Sequence, residues 1–180
     1  GLDFDPIFPS GIDQLWVADR NGRTPSAEFR QTVLQAATTL LRQRPEVVAV
    51  FDRETLVNTP VEASKMPDEL TLQERLALSA VPDRIADLTV TFKPYLQIKA
   101  PKVDYYISGH GTAWSYDRRV PILFWWPGVT PEERPLPIRT VDIAPTLAHV
   151  LGIQPDGELD GRCLDLGDFG TGPCPEVAKP

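Results

Sequence analysis

The stretch PDRIADLTVTFKP, residues 82–94, contains the change from helical to strand patterning on which the fold class depends. Pro82 ends the helical pattern that precedes it, because proline has no amide hydrogen to donate inside a helix. Residues 88–92 then alternate apolar side chains with threonine, the period-2 pattern of a strand with one buried face. The stretch therefore predicts a helix over residues 68–80 that is followed by a half-buried strand.

Upstream of this stretch the chain predicts another helix and another strand. Apolar residues recur at helical spacing from Thr24, the predicted N-cap, to Pro45, which ends the pattern. Residues 47–51 predict a strand that is mostly buried. Residues 14–19, a turn at Asn21-Gly22 and the residues that follow it predict a short hairpin, whereas residues 1–11 predict an irregular connector.

Downstream, two apolar runs predict strands that are followed by a helix. Residues 103–107 lead into a glycine-containing loop, and residues 120–126 predict a second buried strand. Residues 140–152 predict a helix that ends at Gly152 and whose apolar face is formed by Ile143, Leu147, Val150 and Leu151. Because strands and helices alternate along the chain, the fold class is predicted as α/β. The predicted domains are a helix-and-hairpin subdomain (1–82), a core portion (83–168) and an irregular tail (169–180).

The composition excludes two classes of partner. The net charge is −7 and there is no basic patch, which argues against nucleic acid. No apolar segment approaches the ~20 residues that a membrane-spanning helix needs. A small anionic substrate stays compatible with the charge, because a bound metal can reverse the local field.

The chain has two cysteines, Cys163 and Cys174, in a region rich in glycine and proline. A disulfide in an oxidising compartment and a pair of unpaired thiols are both open on this evidence. Neither cysteine is predicted to bind zinc, since the pair is widely spaced and the sequence places no histidine beside it.

His110 is the first candidate for a functional residue, because Gly109 and Gly111 flank it at the end of an apolar run. Glycines let the backbone approach a bound group closely, and a neutral imidazole there suits zinc. A hydrogen-bonded loop histidine is the alternative. The hydroxyls of Ser108 and Thr112 do not by themselves indicate a nucleophile, since adjacency in sequence is not hydrogen-bond geometry. His149 is predicted to be a solvated residue near a helix end.

Two ordered motifs resemble a known family. Residues 108–121, SGHGTAWSYDRRVP, are similar to the C-terminal signature of the alkaline phosphatase superfamily, in the branch of periplasmic phosphatases related to nucleotide pyrophosphatases and phosphodiesterases. Residues 139–153, RTVDIAPTLAHVLGI, followed by Asp160-Gly161-Arg162, resemble the closing helix of that family. The resemblance implies the C-terminal part of an α/β/α sandwich.

The resemblance also implies a site and its cofactor. His110 matches the family's last zinc ligand, Gly109 and Gly111 match its loop, and Tyr116 and Asp117 match residues that support the loop. A phosphomonoesterase of this family would use two zinc ions on a phosphate ester. A phosphodiesterase or nucleotide pyrophosphatase fragment, or a non-catalytic α/β binding module, is the alternative.

The family's nucleophile and its other zinc ligands precede the final histidine, and no match to them occurs in this chain. The isolated chain is therefore expected to be inactive, to retain no zinc and to self-associate. The expected partner is the N-terminal half of a parent enzyme, and the expected location is periplasmic or extracellular.

Overall fold

The computed structural model describes residues 2–10, 13–62, 64–96, 109–167 and 174. The chain divides into two compact units, the first comprising Gly1–Lys65 and Glu69–Phe124, the second Met66–Asp68 and Trp125–Pro180. Across the described ranges, no helix is both long and apolar enough to cross a membrane.

The first unit contains a four-stranded antiparallel sheet with the strand order β1-β2-β4-β3. The strands are β1 (Ile7–Ser10), β2 (Gln14–Val17), β3 (Val47–Asp52) and β4 (Leu88–Phe92). Its helices are α1 (Ala27–Arg42), α2 (Arg53–Val57), α3 (Leu72–Ala77) and α4 (Ser115–Arg118). The second unit contains a 3₁₀ turn, Thr140–Asp142, that leads into α5 (Ile143–Leu151). This mixture of helices and strands confirms the predicted α/β class.

The predicted strand over residues 88–92 is confirmed as β4, a central strand of the sheet. Leu88 and Val90 belong to the core cluster that includes Ala37 of α1. On the opposite face of the strand, Thr89 and Thr91 are also buried, with exposures of 3% and 7%. The prediction of one exposed face is therefore wrong, because side chains on both faces of β4 are buried.

The N-terminal hairpin forms, but with a different partner from the predicted one. β2 pairs with β1, which precedes it, so the prediction of an irregular connector is wrong over Ile7–Ser10. The Asn21-Gly22 segment is instead a loop around Asp19, whose carboxylate accepts from the backbone N–H groups of Asn21 (2.8 Å) and Arg23 (2.9 Å). Of that pair only Gly22 has a positive φ, 72°, whereas a type I′ turn needs two.

The remaining elements of the first unit differ from the predictions mainly at their boundaries. α1 begins after Ser26, whose hydroxyl accepts from the N–H of Phe29, so Ser26 is the N-cap rather than Thr24. β3 is confirmed, yet only Val50 in it is buried and Val48 is 48% exposed. α2 was not predicted, and it begins where the Asp52 carboxylate accepts from the N–H of Thr55 at 2.7 Å.

α3 is shorter than the predicted helix over residues 68–80 because a capping box fixes where it begins. The Thr71 hydroxyl accepts from the N–H of Glu74, and the Glu74 carboxylate accepts from the N–H of Thr71 at 2.7 Å. The Lys65 ammonium donates to the same carboxylate at 2.6 Å. These bonds, the one from Lys65 above all, lower the pKa of Glu74 from 4.5 to about 2.

Replacing Glu74 with Gln is expected to lower the free energy of unfolding at neutral pH and to have little effect in strong acid. A carboxyl group with a depressed folded-state pKa contributes fully above its unfolded value of 4.5, and the contribution disappears as the pH falls toward about 2. Urea unfolding at about pH 7 and about pH 2 checks this, with the exposed Glu28→Gln as the control. A difference that is the same at both pH values would contradict the assignment.

In the second unit, α5 confirms the predicted helix and its stop at Gly152, which adopts a left-handed φ of 64°. The predicted apolar face is buried only in part, because Ile143 and Val150 are half-buried whereas Leu147 and Leu151 are 43% and 67% exposed. Thr146, which the pattern did not include, is fully buried. The buried side of α5 is instead the side that hydrogen-bonds to residues 162–164.

The buried strand predicted over residues 120–126 is wrong. Within the described ranges this segment pairs with no strand, and Val120, Leu123 and Trp125 are 61%, 86% and 73% exposed. An extended segment without a ladder partner has nothing to hold it in a sheet. The strand predicted over residues 103–107 lies outside the described residues, as does the predicted tail apart from Cys174. The division into 1–82, 83–168 and 169–180 stays a prediction.

Candidate metal-binding loop

Residues 109–119, here called the His110 loop, are anchored to the first unit by two side chains. The Trp114 indole N–H donates to the carbonyl oxygen of Phe92, at the end of β4, at 2.9 Å. The guanidinium of Arg75, in α3, donates to the carbonyl oxygen of Ala113 (3.2 Å) and to the Ser115 hydroxyl (3.3 Å). The loop is therefore fixed against both the sheet and α3.

Tyr116 connects the loop to the residues that follow β4. Its hydroxyl oxygen accepts from the backbone N–H of Tyr95 at 3.0 Å, and the two rings stack with centroids 4.5 Å apart. Tyr95 has a φ of 63°, an uncommon value for a residue with a side chain. The stacked pair therefore holds a strained backbone position beside the loop.

Asp117 forms a hydrogen bond within the His110 loop. Its carboxylate accepts from the backbone N–H of Thr112 at 2.5 Å. This bond is the largest cause of a lowered pKa for Asp117, and the nearby His110 acts in the same direction. The carboxylate is therefore ionised at neutral pH and shapes the turn that presents the histidine.

His110, Gly109 and Gly111 are all exposed at the surface of the loop. Gly111 has a φ of 103°, a conformation that residues with a side chain rarely adopt. A Cβ at this position would meet no atom within 4 Å, so the requirement for glycine is conformational rather than spatial. The backbone turn thus leaves the imidazole accessible for a bond to a group that approaches from outside.

The described residues do not form a complete zinc site around His110. Among them, the one group of three metal-ligating side chains close together is His149, Cys163 and Cys174, and it does not include His110. Zinc in proteins takes at least three protein ligands. The His110 loop therefore offers a single ligand, and a zinc ion there needs ligands from other residues.

Cys163 and Cys174 form a disulfide with a Cα–Cα distance of 5.7 Å, which decides between the two alternatives for the cysteines. His149 lies beside them, its ligating nitrogen within 4.8 Å of both sulfurs. The prediction that no histidine is near the cysteines is therefore wrong, and His149 is half-buried beside the disulfide rather than solvated. Sulfurs joined in a disulfide are not thiolates and cannot ligate a metal. The disulfide fits an oxidising compartment.

The second motif forms a buried contact that the sequence did not predict. The two carboxylate oxygens of Asp142, which is 3% exposed, accept from the backbone N–H groups of Arg139 and Arg162, each at 2.9 Å. The Thr146 hydroxyl donates to the Asp142 carbonyl oxygen (2.6 Å) and accepts from the N–H of Leu164 (2.9 Å). In the second unit this motif therefore holds the residues after α5 against its first turn.

An α/β fold with an exposed histidine loop fits the class of metal-dependent hydrolases that the sequence resembles. The chain is 41% identical over 172 residues to the alkaline phosphatase PhoD of Zymomonas mobilis, a match that covers 94% of this chain and 29% of that protein. It is 38% identical over 143 residues to the alkaline phosphatase PhoK of a Sphingomonas species, which covers 78% of this chain and 25% of the relative. No family model matches the chain.

The predicted resemblance to alkaline phosphatases is confirmed at the level of these relatives. The matches span only 25–29% of the relatives' length, so the similarity is partial. The branch within the superfamily and the roles of His110, Gly109, Gly111, Tyr116 and Asp117 stay predictions.

Proposed function

We propose that this chain is the portion of a zinc-dependent phosphomonoesterase of the alkaline phosphatase type that supplies one zinc ligand, His110. The observation that supports the proposal is the 41% identity to an alkaline phosphatase over 94% of the chain. The exposed imidazole of His110, held between two exposed glycines, has the chemistry that a zinc ligand requires.

In this proposal, the contacts that fix the His110 loop position the zinc ligand. Asp117 and the Tyr95–Tyr116 stack hold the backbone turn, while Arg75 and Trp114 fix the loop to α3 and β4. A ligand on a fixed loop loses little conformational entropy on binding a metal. When bound, zinc would stabilise charge on phosphate oxygens and lower the pKa of an attacking hydroxyl group or water.

In this proposal the nucleophile and the other zinc ligands come from a part of the protein that this chain does not contain. The chain covers 29% of PhoD, which leaves room for them in the rest of such a protein. The isolated chain would then neither retain zinc nor turn over substrate, because one histidine binds zinc too weakly. The disulfide supports a periplasmic or extracellular location. Exposed Val120 and Leu123 would pack against the missing part, or against a second copy in the isolated chain.

The test is a chimera in which this chain replaces the matching 29% of the Zymomonas alkaline phosphatase. The chimera is expected to bind zinc and hydrolyse p-nitrophenyl phosphate. His110→Ala should lower kcat/KM by about 100-fold or more, since loss of an outer partner alone costs about 10–100-fold. Zinc content measured by atomic absorption should fall in parallel.

The matched control is His149→Ala, because His149 is the other histidine of the chain and lies beside the disulfide. It should leave zinc content and turnover unchanged. Full zinc and full turnover in the His110→Ala chimera would contradict the proposal. Faster hydrolysis of bis(p-nitrophenyl) phosphate than of the monoester would favour the phosphodiesterase alternative, and a folded chimera inactive on both would favour a non-catalytic module.

A further inference from the structure

A cleft of about 450 Å³ lies in the first unit, apart from the His110 loop. We call it the arginine cleft, because three of its lining side chains are Arg23, Arg30 and Arg53. Two aromatic side chains, Phe8 and Trp16, also line it. The volume falls within the range of about 300–1,000 Å³ that is usual for small-molecule sites.

The arginines outnumber the carboxylates in this cleft. Three arginines against Asp83 and Asp87 leave a formal charge of +3 − 2 = +1, in a chain whose net charge is −7. Asp87 is buried, and both Arg30 (2.5 Å) and Arg53 (3.1 Å) reach the same one of its oxygens. Its other oxygen accepts from the backbone N–H of Val17 at 2.7 Å. One carboxylate thus holds two guanidinium groups, and each of them has donors beyond the one that faces Asp87.

The guanidinium group of Arg53 is fixed by two contacts and has further N–H donors that these contacts do not use. This group lies 5.4 Å from the centroid of the Trp16 ring and pairs with Asp87. Its Nε is buried and has no acceptor within the described part of the chain. This enclosed Nε cannot be reached by a ligand, whereas the rest of the Arg53 side chain, which is 30% exposed, carries further N–H donors.

We propose that the arginine cleft binds a small oxyanion, a phosphate-type or carboxylate group, carried on a flat aromatic ring. The guanidinium groups of Arg23, Arg30 and Arg53 donate to the oxyanion, since their planar forks match its oxygens. The ring packs against the apolar rings of Trp16 and Phe8, which add a contact area that a bare anion would not use. This site is independent of the zinc chemistry proposed for His110.

Arg23 separates this proposal from a purely structural ion-pair cluster. The pairing with Asp87 accounts for Arg30 and Arg53, but Arg23 makes no described ion pair with that carboxylate. Replacing Arg23 therefore removes a positive charge from the cleft without disturbing the pairs that stabilise the fold. Arg44 lies outside the cleft, is 69% exposed and provides the charge-matched control.

The test is isothermal titration calorimetry of phenylphosphonate into the 180-residue chain and its Arg23→Gln and Arg44→Gln variants. The carbon–phosphorus bond of this probe resists phosphatases, so turnover cannot confuse the result. We expect saturable binding that Arg23→Gln weakens about tenfold, the effect of one charge-assisted hydrogen bond. Arg44→Gln should bind like the unchanged chain. Far-UV circular dichroism confirms that both variants are folded.

Three comparison probes separate the parts of the proposal. If benzoate binds with an affinity similar to that of phenylphosphonate, the site accepts carboxylates as well as phosphate-type groups. If benzoate does not bind, the site is specific for phosphate-type groups. Inorganic phosphate should bind more weakly than phenylphosphonate, and equal affinity would overturn the role of the aromatic ring. Three results would overturn the site itself. The first is no saturable binding of phenylphosphonate, and the second is neutral benzyl alcohol binding as tightly as phenylphosphonate. The third is equal weakening of binding by Arg23→Gln and Arg44→Gln.

Discussion

Replacing Asp87 with Ala is expected to lower the free energy of unfolding of the first unit by about 3–5 kcal/mol. The carboxylate is 4% exposed and serves three partners at once: Arg30, Arg53 and the backbone N–H of Val17. Removing it leaves two guanidinium groups facing each other without a counter-charge and leaves the Val17 N–H without its acceptor. Those unpaired groups, rather than the net value of the ion pairs, produce most of the loss.

Urea unfolding followed by NMR measures this loss, and hydrogen exchange of the Val17 amide reports it locally. The control is Asp3→Ala, which also removes an aspartate paired with an arginine, Arg20, but at a site where the carboxylate is 71% exposed. Asp3→Ala should lower the free energy of unfolding by no more than about 0.5 kcal/mol, as is usual for surface ion pairs. Equal losses for the two variants would show that burial of Asp87 is not what makes its ion pairs important.

The strands that the sequence predicted best are those whose pattern is local. β3 and β4 were found because their apolar residues are continuous or alternate within five or six residues. Their degree of burial was not predictable, because it depends on which strands and helices lie on each side. β1 was missed for a related reason: it is exposed on most of its residues and pairs with β2 before the Asn-Gly signal, not after it.

The histidine loop illustrates the same limit. The glycines on either side of His110 predicted a loop whose backbone can approach a bound group closely, and in the structure His110 is exposed. The residues that anchor the loop were not predictable from local pattern. Arg75 reaches Ala113 across 38 positions in the sequence, and Trp114 reaches Phe92 across 22. Likewise, Asp87 and Arg30 are 57 positions apart, so neither the ion pair nor the arginine cleft has a local signal.

Gly161→Ala is the second large effect that we expect, with a loss of about 2–4 kcal/mol in the stability of the second unit. An added Cβ at residue 161 would lie 2.0 Å from the carbonyl oxygen of Val141 and 2.7 Å from the backbone nitrogen of Asp142. Both atoms are backbone, so neither can rotate away as a flexible side chain would. Relief requires the chain to move away from α5, which also breaks the bond from the Arg162 N–H to the Asp142 carboxylate.

Gly157→Ala is the matched control, because it adds the same methyl group four residues earlier, where nothing lies within 4 Å. It should change stability by less than about 0.5 kcal/mol. Hydrogen exchange of the Arg162 and Leu164 amides, which donate to Asp142 and Thr146, should accelerate only in Gly161→Ala. If both variants were neutral, the close approach of Gly161 to Val141 would not be a feature of the folded protein. The Asp-Gly-Arg motif would then need a role other than packing. If only Gly161→Ala is destabilised, the motif requires glycine at residue 161 because a larger side chain does not fit there. The backbone N–H of Arg162, which donates to the Asp142 carboxylate, then holds this part of the chain against the start of α5.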